Sequence, residues 1–390
     1  MANYPRLIRL IVVLNLVASS VFAQSVSTPA QQSSQLAPDT VKKIEAVVEK
    51  EMAAQSIPGI SIAIAVDNQI RYAKGFGSAD LENSVSAKAT TVYRTASIAK
   101  PLTATAIMQL VEKGKLDLDA PIQKYCTSFR EKPWPITARL LLGHLSGIRH
   151  YQKPGESSGT EHYFTIEESM KIFKDDPLLH EPGTKYTYTT YGYSVLGCAI
   201  EGVSGMRYGD YMQENVFRPA GMEHTGIDEH FFIIPNRSRG YMKVDEATYA
   251  QLPDAIKTRV KVGQVLNAQL HDTSMKIPGG GLASTAVDLV NFGMASVKGK
   301  LVKESTLAQM WTTQKTKDNK ETSYGLGWGI GTVGGMRLIS HSGGQAGTST
   351  LLYLLPEKGI VLAAMSNLEG AALNRILNDI GKELVTPAKP

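Results

Sequence analysis

Cysteine is scarce in this 390-residue chain, which contains only two. Two cysteines cannot form the disulfide framework of a small secreted domain, and the ordinary composition, 43% hydrophobic and 20% charged, excludes collagen-like and wholly disordered classes. Cys126 and Cys198 can in principle pair. Because Cys198 lies in the apolar run 195–200, the sequence favours a buried free thiol over a disulfide.

Clusters of positive charge and metal-ligand spacings are also missing. The formal net charge is only +5, and no run of Lys and Arg with interleaved aromatic residues stands out, so nucleic-acid binding has little support. The eight histidines show no His-x-x-x-His spacing, which argues against a metal site. We therefore expect no metal and no organic cofactor.

Long apolar runs are absent except for a short one near the N-terminus. Arg6 and Arg9 precede it, and small residues follow it up to Ala23, which is the pattern of a cleaved secretory signal peptide. The run is too short for a comfortable membrane span, although an uncleaved anchor stays open. We expect a signal peptide over 1–23, a flexible leader over 24–38, and a periplasmic or secreted protein without a membrane span after cleavage.

Short apolar runs bounded by turn residues occur near both ends of the chain and predict strands. These runs are 60–66, 69–76, 324–330, 336–341, 348–355 and 360–365. Apolar residues at helical spacing predict helices at about 39–54, 102–112, 193–203, 285–295 and 371–384.

Short hairpin turns join the predicted strands, and strands joined in this way pair antiparallel. The sequence therefore predicts an α/β fold of the α+β type, with a mainly antiparallel sheet built from both termini, flanked by helices, and a helical subdomain inserted. We expect one domain over 39–385, with its sheet layer at about 39–96 and 320–385 and its helical region at about 97–319. The cleft between the two regions is the expected place for a site.

The sharpest chemical candidate is the pair Ser97 and Lys100, the only Ser-x-x-Lys spacing in the chain. Residues three apart on a helix share a face, so the amine can lie beside the hydroxyl. A lysine that is partly desolvated near other cations can lose its proton at neutral pH and activate a serine. Taken alone the spacing is weak evidence, because a capping serine followed by a surface lysine explains it equally well.

Six sequence blocks in order strengthen this candidate. They are 93–100 (YRTASIAK), 141–148 (LLGHLSGI), 181–193 (EPGT through YTTYGY), 280–285 (GGLAST), 324–328 (YGLGW) and 341–344 (HSGG). With these blocks the chain resembles the serine β-lactamase-like family, which includes class C β-lactamases, DD-peptidases, related esterases and LACTB-type serine peptidases. The resemblance implies a β-lactamase/transpeptidase-like fold.

The resemblance also implies catalytic roles for residues at matching positions. Ser97 is the nucleophile that forms an acyl-enzyme, and Lys100 is its base or proton relay. Tyr188 exchanges a proton with Ser97, the leaving group or the deacylating water. An inactive copy that only binds a peptide or a partner protein is expected to lose one of these three residues, and all three are present.

A second group of residues is implied in substrate binding. His341, Ser342 and Gly343 stand where the family has the Lys-Thr-Gly strand that lines the site and contacts a substrate carboxylate. The oxyanion hole is implied to consist of the backbone N–H groups of Ser97 and Gly344. Two fixed donors of this kind suit a tetrahedral oxyanion.

Two positions depart from the β-lactamase pattern. Thr190 replaces the asparagine of the usual Tyr-x-Asn block, and a hydroxyl is shorter than an amide and cannot contact an acyl amide in the same way. Histidine at position 341 replaces lysine, and a histidine near its pKa holds a carboxylate less constantly. Both departures argue against efficient antibiotic hydrolysis.

The most favoured function is an exported LACTB-type peptidase or esterase acting on a small-molecule or peptide substrate. DD-peptidase or class C-like β-lactamase activity is the alternative within the family. A non-catalytic binding protein with the same fold is the alternative of another class. The sequence leaves the oligomeric state open.

Overall fold

The computed structural model describes residues 35–153 and 155–385. The predicted signal peptide over 1–23 and most of the predicted leader lie outside the described residues. Within the described ranges, no helix is long and apolar enough to cross a membrane.

The strands of the described residues follow in chain order. They are β1 Gly59–Val66, β2 Gln69–Asp80, β3 Val85–Ser86, β4 Tyr93–Arg94, β5 Gly226–Ile227, β6 Tyr241–Lys243, β7 Val265–Asn267, β8 Leu282–Ser284, β9 Gly329–Val333, β10 Met336–Gln345, β11 Thr348–Leu355 and β12 Ile360–Ser366.

The α-helices are α1 Pro38–Gln55, α2 Ala99–Glu112, α3 Ala138–Leu142, α4 Ile166–Met170, α5 Tyr191–Ser204, α6 Tyr208–Met212, α7 Arg218–Ala220, α8 Glu246–Gln251, α9 Asp254–Lys257, α10 Ile277–Gly280, α11 Ala286–Val297, α12 Glu304–Met310 and α13 Leu373–Val385. Single 3₁₀ or π turns lie at Ala96–Ile98, Ile122–Lys124, Gln213–Phe217, Ser274–Lys276 and Pro356–Lys358. The five helices expected from the sequence correspond to α1, α2, α5, α11 and α13.

One seven-stranded sheet joins the two ends of the chain. Its order is β3-β2-β1-β12-β11-β10-β9, and every neighbouring pair is antiparallel. The pairing of β1 with β12, from Ile60 opposite Ser366 to Val66 opposite Ile360, connects the N-terminal strands to the C-terminal strands. This confirms the predicted antiparallel sheet built from both termini.

Side chains of β1 point alternately to the two faces of the sheet, and helices cover both faces. Ile60, Ile62 and Ile64 belong to a core cluster shared with α1 and α13. Ala63 and Ala65 belong to the larger cluster shared with the helical region. Side chains two apart on a strand share a face, and a strand buried on both faces therefore reads as one continuous apolar run.

The predicted strand at 324–330 is wrong over most of its length, because β9 begins only at Gly329. Gly327 has a left-handed backbone with φ of 86°, and a Cβ there would come within 2.4 Å of Ala104 on α2. The chain therefore turns tightly against α2 before it joins the sheet, which an extended strand cannot do.

Cys126 and Cys198 form a disulfide, so the interpretation of Cys198 as a buried free thiol was wrong. The hydrophobic run around Cys198 belongs to helix α5, and Cys198 itself is only partly buried there. A Cβ at Gly202, one turn along α5, would come within 2.0 Å of the Tyr125 carbonyl oxygen. Glycine at that position lets the chain approach α5 closely enough to bring the two cysteines together.

This disulfide is expected to stabilise the fold by about 2–4 kcal/mol, because it closes a long loop of the unfolded chain. Urea unfolding of oxidised wild type, reduced wild type and Cys126→Ser/Cys198→Ser measures the difference. Equal unfolding midpoints for the oxidised and reduced forms would contradict the expectation. Activity after mild reduction is expected to persist, since neither cysteine lines the cleft described below.

Candidate active site

Ser97 lies on a strained turn between β4 and α2. The turn Ala96–Ile98 runs directly into α2, and Ala96 has φ of 45°, a conformation that L-residues other than glycine rarely adopt. The Thr95 N–H donates to the Leu282 carbonyl at 2.8 Å, and the Thr95 carbonyl accepts from Thr350 Oγ1 at 2.8 Å. These contacts to β8 and β11 hold the strained backbone, as is common at functional sites.

Lys100 follows one turn later and is completely buried. Its Nζ lies 3.0 Å from Ser97 Oγ, 3.1 Å from Thr190 Oγ1 and 2.8 Å from the Gly279 carbonyl oxygen. Burial, and then the nearby charge of Lys276, hold the pKa of Lys100 well below its usual value. The lowered pKa favours the neutral amine, which has two N–H groups and one lone pair.

The partners of Lys100 fix the direction of that lone pair. The Gly279 carbonyl can only accept a hydrogen bond, and the Thr190 hydroxyl takes the second N–H. The lone pair then remains for the Ser97 hydroxyl. Thr190, which stands in the place of the usual asparagine, positions the amine in this structure.

Tyr188 lies beside this pair, in the loop that precedes α5. Lys100 Nζ is 4.8 Å from the centre of its ring. Burial raises the pKa of Tyr188, while an interaction with Ser97 opposes the shift. The phenol therefore keeps its proton at neutral pH and can donate it.

His144 holds the loop of Tyr188 from both sides. It is buried with φ of 58°, and its carbonyl oxygen accepts from the Thr187 N–H at 2.8 Å. Its Nδ1 accepts from the Thr189 N–H at 3.2 Å. The two bonds flank Tyr188 in the sequence, so His144 is a structural residue of the site.

His341 on β10 is buried, and both its ring nitrogens have partners. Nδ1 lies 2.7 Å from the Ser342 carbonyl oxygen and Nε2 lies 2.7 Å from the Tyr324 hydroxyl. Burial first, and then the neighbouring amine of Lys100, lower the pKa of His341 to about 3, so the ring is neutral at pH 7. Nδ1 must then donate and Nε2 must accept from Tyr324. A contact between His341 and a substrate carboxylate requires one of these bonds to break.

Gly343 and Gly344 bring β10 against the nucleophile turn. A Cβ at Gly343 would come within 2.3 Å of Thr350 Oγ1, 2.5 Å of the Thr95 carbonyl oxygen and 3.0 Å of the Ser97 backbone nitrogen. Gly344 has open space around its Cα and lines the cleft with Ser97. Ser342 is exposed and does not line that cleft.

The cleft that contains Ser97 has a volume of about 370 Å³. Its other lining residues come from the helical region, from the end of β10 and the turn after it, and from the segment after β12. Those used below are Tyr151, Thr190, Gln269, Lys276, Gly344, Ala346 and Glu369. The structure thus brings together Ser97, Lys100, Tyr188, Thr190 and Gly344 from segments that lie far apart in the sequence.

Lys276 is a lysine of the site that sequence reasoning missed. It is 3% exposed, it lines the cleft, and its Nζ donates to the Ser157 carbonyl oxygen at 2.8 Å. Burial and the nearby Arg94 lower the pKa of Lys276 to about 7. The only signal in the sequence is its position just before the triple glycine 279–281, which attracts attention for its glycines alone.

Replacing Lys276 with Met is expected to move the acidic limb of the kcat/KM profile to higher pH. Lys276 is one cause of the low pKa of Lys100, so removing its charge lets Lys100 keep its proton to a higher pH. The effect should be largest below about pH 7, where Lys276 carries its charge.

The conservative variant Lys276→Arg keeps the charge and is expected to leave the limb near its wild-type position. The exposed Lys300→Met controls for the loss of a lysine elsewhere. A limb at the same pH in wild type and Lys276→Met would contradict the coupling.

Among residues 35–153 and 155–385, no group of three or more His, Cys, Asp or Glu side chains is arranged to hold a metal ion. The chemistry available to this cleft is that of a serine, a neutral amine, a phenol and backbone donors.

Residues 44–385 match the family model described as Beta-lactamase. The chain belongs to the Beta-lactamase family. Among curated proteins of this family, the human serine beta-lactamase-like protein LACTB, mitochondrial, is 29% identical over 457 aligned positions, which cover 90% of this chain and 80% of that protein. Penicillin-binding protein 4* of Bacillus subtilis is 25% identical and covers 79% of this chain and 68% of its own length.

Solved structures agree with the family membership. The octameric penicillin-binding protein homologue from Pyrococcus abyssi is 27% identical, with a TM-score of 0.72 over 88% of this chain and 77% of that chain. The D-amino acid amidase from Ochrobactrum anthropi is 23% identical, with a TM-score of 0.77 over 89% of this chain and 99% of that chain. At that identity the second comparison shows the shared fold alone. The predicted β-lactamase/transpeptidase-like fold is confirmed.

Proposed function

We propose that this protein is a serine hydrolase that cleaves an ester or a peptide-like amide through an acyl-enzyme on Ser97. The observation that carries the proposal is the 3.0 Å separation between Ser97 Oγ and the buried Nζ of Lys100. A serine next to a neutral, oriented amine is an activated nucleophile.

Acylation follows from the positions of the donors and acceptors. Ser97 Oγ attacks the carbonyl carbon and passes its proton to Lys100, while the N–H groups of Ser97 and Gly344 hold the oxyanion. The bond to the leaving group then breaks, and the leaving group takes a proton from Tyr188, which Lys100 restores.

Deacylation reverses the roles. Water attacks the acyl carbon and gives a proton to the same amine and phenol pair, and the bond between that carbon and Ser97 Oγ breaks. The proton returns to Ser97, the acid leaves, and the enzyme is regenerated with atoms and charge balanced.

Within the family we place this chain with LACTB-type peptidases and esterases. Thr190 offers only a short hydroxyl, which contacts Lys100 at 3.1 Å, and the neutral His341 has both nitrogens engaged. Both features support ester or peptide substrates over β-lactams.

A substrate panel tests this assignment. We expect turnover of p-nitrophenyl esters and short peptide esters, with slow or no turnover of a chromogenic cephalosporin. Cephalosporin turnover faster than that of all esters would favour a β-lactamase, and release of D-alanine from a D-Ala-D-Ala peptide would favour a DD-peptidase. A folded protein that turns over none of them would favour a binding protein.

We also propose that the protein is exported, on the basis of the signal-like segment over 1–23. Expression of the full chain in a bacterial host, followed by fractionation and mass measurement, tests this. A mature form that begins at Gln24 outside the cytoplasm is expected, and a full-length cytoplasmic form would overturn it.

A further inference from the structure

A second cavity of about 400 Å³ adjoins the cleft of Ser97. Gln269 and Ala346 line both spaces, so the two lie side by side. Its lining includes three arginines, Arg94, Arg237 and Arg239, and no acidic residue. We call it the arginine cavity.

Two arginines of the arginine cavity share one buried carboxylate. Asp228, with a side chain only 1% exposed, pairs with Arg94 Nε at 2.8 Å and with Arg237 Nη2. One carboxylate is thus shared by two guanidinium groups, and Arg237 has no carboxylate of its own. The mutual repulsion appears in Arg237, whose pKa is lowered by burial and then by Arg94.

The other charged groups nearby act on Arg94 and Arg239 rather than on Arg237. Arg239 pairs with the half-exposed Glu82 at 3.0 Å, and Asp272, which also contacts His162 at 2.8 Å, raises the pKa of Arg94. His271 adds no charge, because burial and Arg94 lower its pKa to about 3. In the adjoining cleft, Lys276 carries a positive charge below about pH 7.

Arg237 retains donors for a ligand. Among the described residues its hydrogen bonds go to Asp228 from Nη2 and to the Glu229 carbonyl oxygen from Nη1 at 3.5 Å. A guanidinium group has five N–H donors, and this side chain is 30% exposed where it lines the cavity. Arginine binds carboxylates by paired hydrogen bonds of matched geometry.

We propose that the arginine cavity binds a carboxylate of the substrate. This carboxylate belongs to the end of the substrate that extends from the scissile bond past Ala346. The inference rests on the proposed hydrolase function and deepens it: the preferred substrate is an ester or amide with an acidic group at that end. Arg237 is the specificity-determining residue, and Arg94 supports it through the shared Asp228.

Two matched pairs of esters test the proposal and show which end of the substrate carries the acid. The first pair is N-succinylglycine phenyl ester and its version with the succinyl carboxylate methylated. The second pair is N-acetylglycine 3-carboxyphenyl ester and its methyl-capped version. The readout is the ratio of kcat/KM between the acidic and the neutral member of each pair.

In wild type we expect one pair to favour its acidic member about tenfold or more, the size of a charge-assisted hydrogen bond. Arg237→Gln should bring that ratio close to one, with kcat/KM for the neutral ester changed by less than about threefold. Arg130→Gln, which removes an exposed guanidinium group paired with Asp175 at 3.2 Å, is the matched control and should keep the wild-type ratio.

The outcomes separate the inference from the function. If wild type cleaves the neutral member of both pairs at least as fast as the acidic member, the carboxylate subsite is overturned while the hydrolase function stands. The same conclusion follows if Arg237→Gln keeps the preference for the acidic member. If folded wild type cleaves no ester, the proposed function itself fails. If Arg237→Gln does not fold, Arg237→Lys provides the same test. A lysine ammonium group donates from a single nitrogen and cannot form the paired hydrogen bonds of a guanidinium group.

Discussion

Replacing Lys100 with Met is expected to lower kcat/KM for ester hydrolysis by about 10²–10⁴, the range for loss of a general base. Methionine has similar length and no basic nitrogen, so the Ser97 hydroxyl loses its proton acceptor. Methionine leaves the Gly279 carbonyl and the Thr190 hydroxyl without Lys100 as a partner, which lowers stability, so kcat/KM is referred to the folded fraction of the variant.

The matched control is Lys115→Met, which replaces an exposed lysine just beyond the end of α2. It should retain full activity and the wild-type melting temperature. A Lys100→Met variant that folds and keeps activity within about tenfold of wild type would show that another group activates Ser97.

Gly343→Ala is expected to lower kcat by about 10²–10³, the effect of losing one oxyanion donor. The added methyl group would come within 3.0 Å of the Ser97 nitrogen and closer still to Thr350 and Thr95. Strand β10 must therefore move away from the nucleophile turn, and the N–H groups of Ser97 and Gly344 lose their common focus.

Gly331→Ala on neighbouring β9 is the control, because a Cβ there meets nothing within 4 Å. Gly331→Ala should leave kcat unchanged. It shows what replacing a glycine with alanine does elsewhere in the same sheet. Because Gly343→Ala can also lower stability, kcat is best referred to the fraction of protein that reacts with an active-site label. A folded Gly343→Ala with more than a third of wild-type kcat would contradict the oxyanion assignment.

Much of the fold could be predicted from the sequence because the core strands have a simple pattern. The apolar run of β1 and the hairpin turn that follows it report burial and chain reversal directly. The spacing of Ser97 and Lys100 likewise needs only a helix to bring the two side chains together. Local patterns of this kind carry their structural consequence within a few residues.

The features that were missed depend on contacts between distant segments. The pairing of Cys126 with Cys198 needs the close approach that Gly202 permits, and no local pattern encodes that approach. Lys276 reaches the cleft only because the chain around it packs beside Tyr151 and Ser157. The low pKa of His341 depends on its burial and on Lys100, which lies on another segment.

The central claim is that Ser97 forms the acyl-enzyme, and intact-mass spectrometry tests it most directly. Wild type and Ser97→Ala are each treated with a fluorophosphonate, a penicillin and a p-nitrophenyl ester. We predict a single fluorophosphonate adduct on wild type and none on Ser97→Ala, with an acyl adduct from the ester that clears as water attacks. Equal labelling of Ser97→Ala, or no adduct from any reagent on folded wild type, would contradict the account.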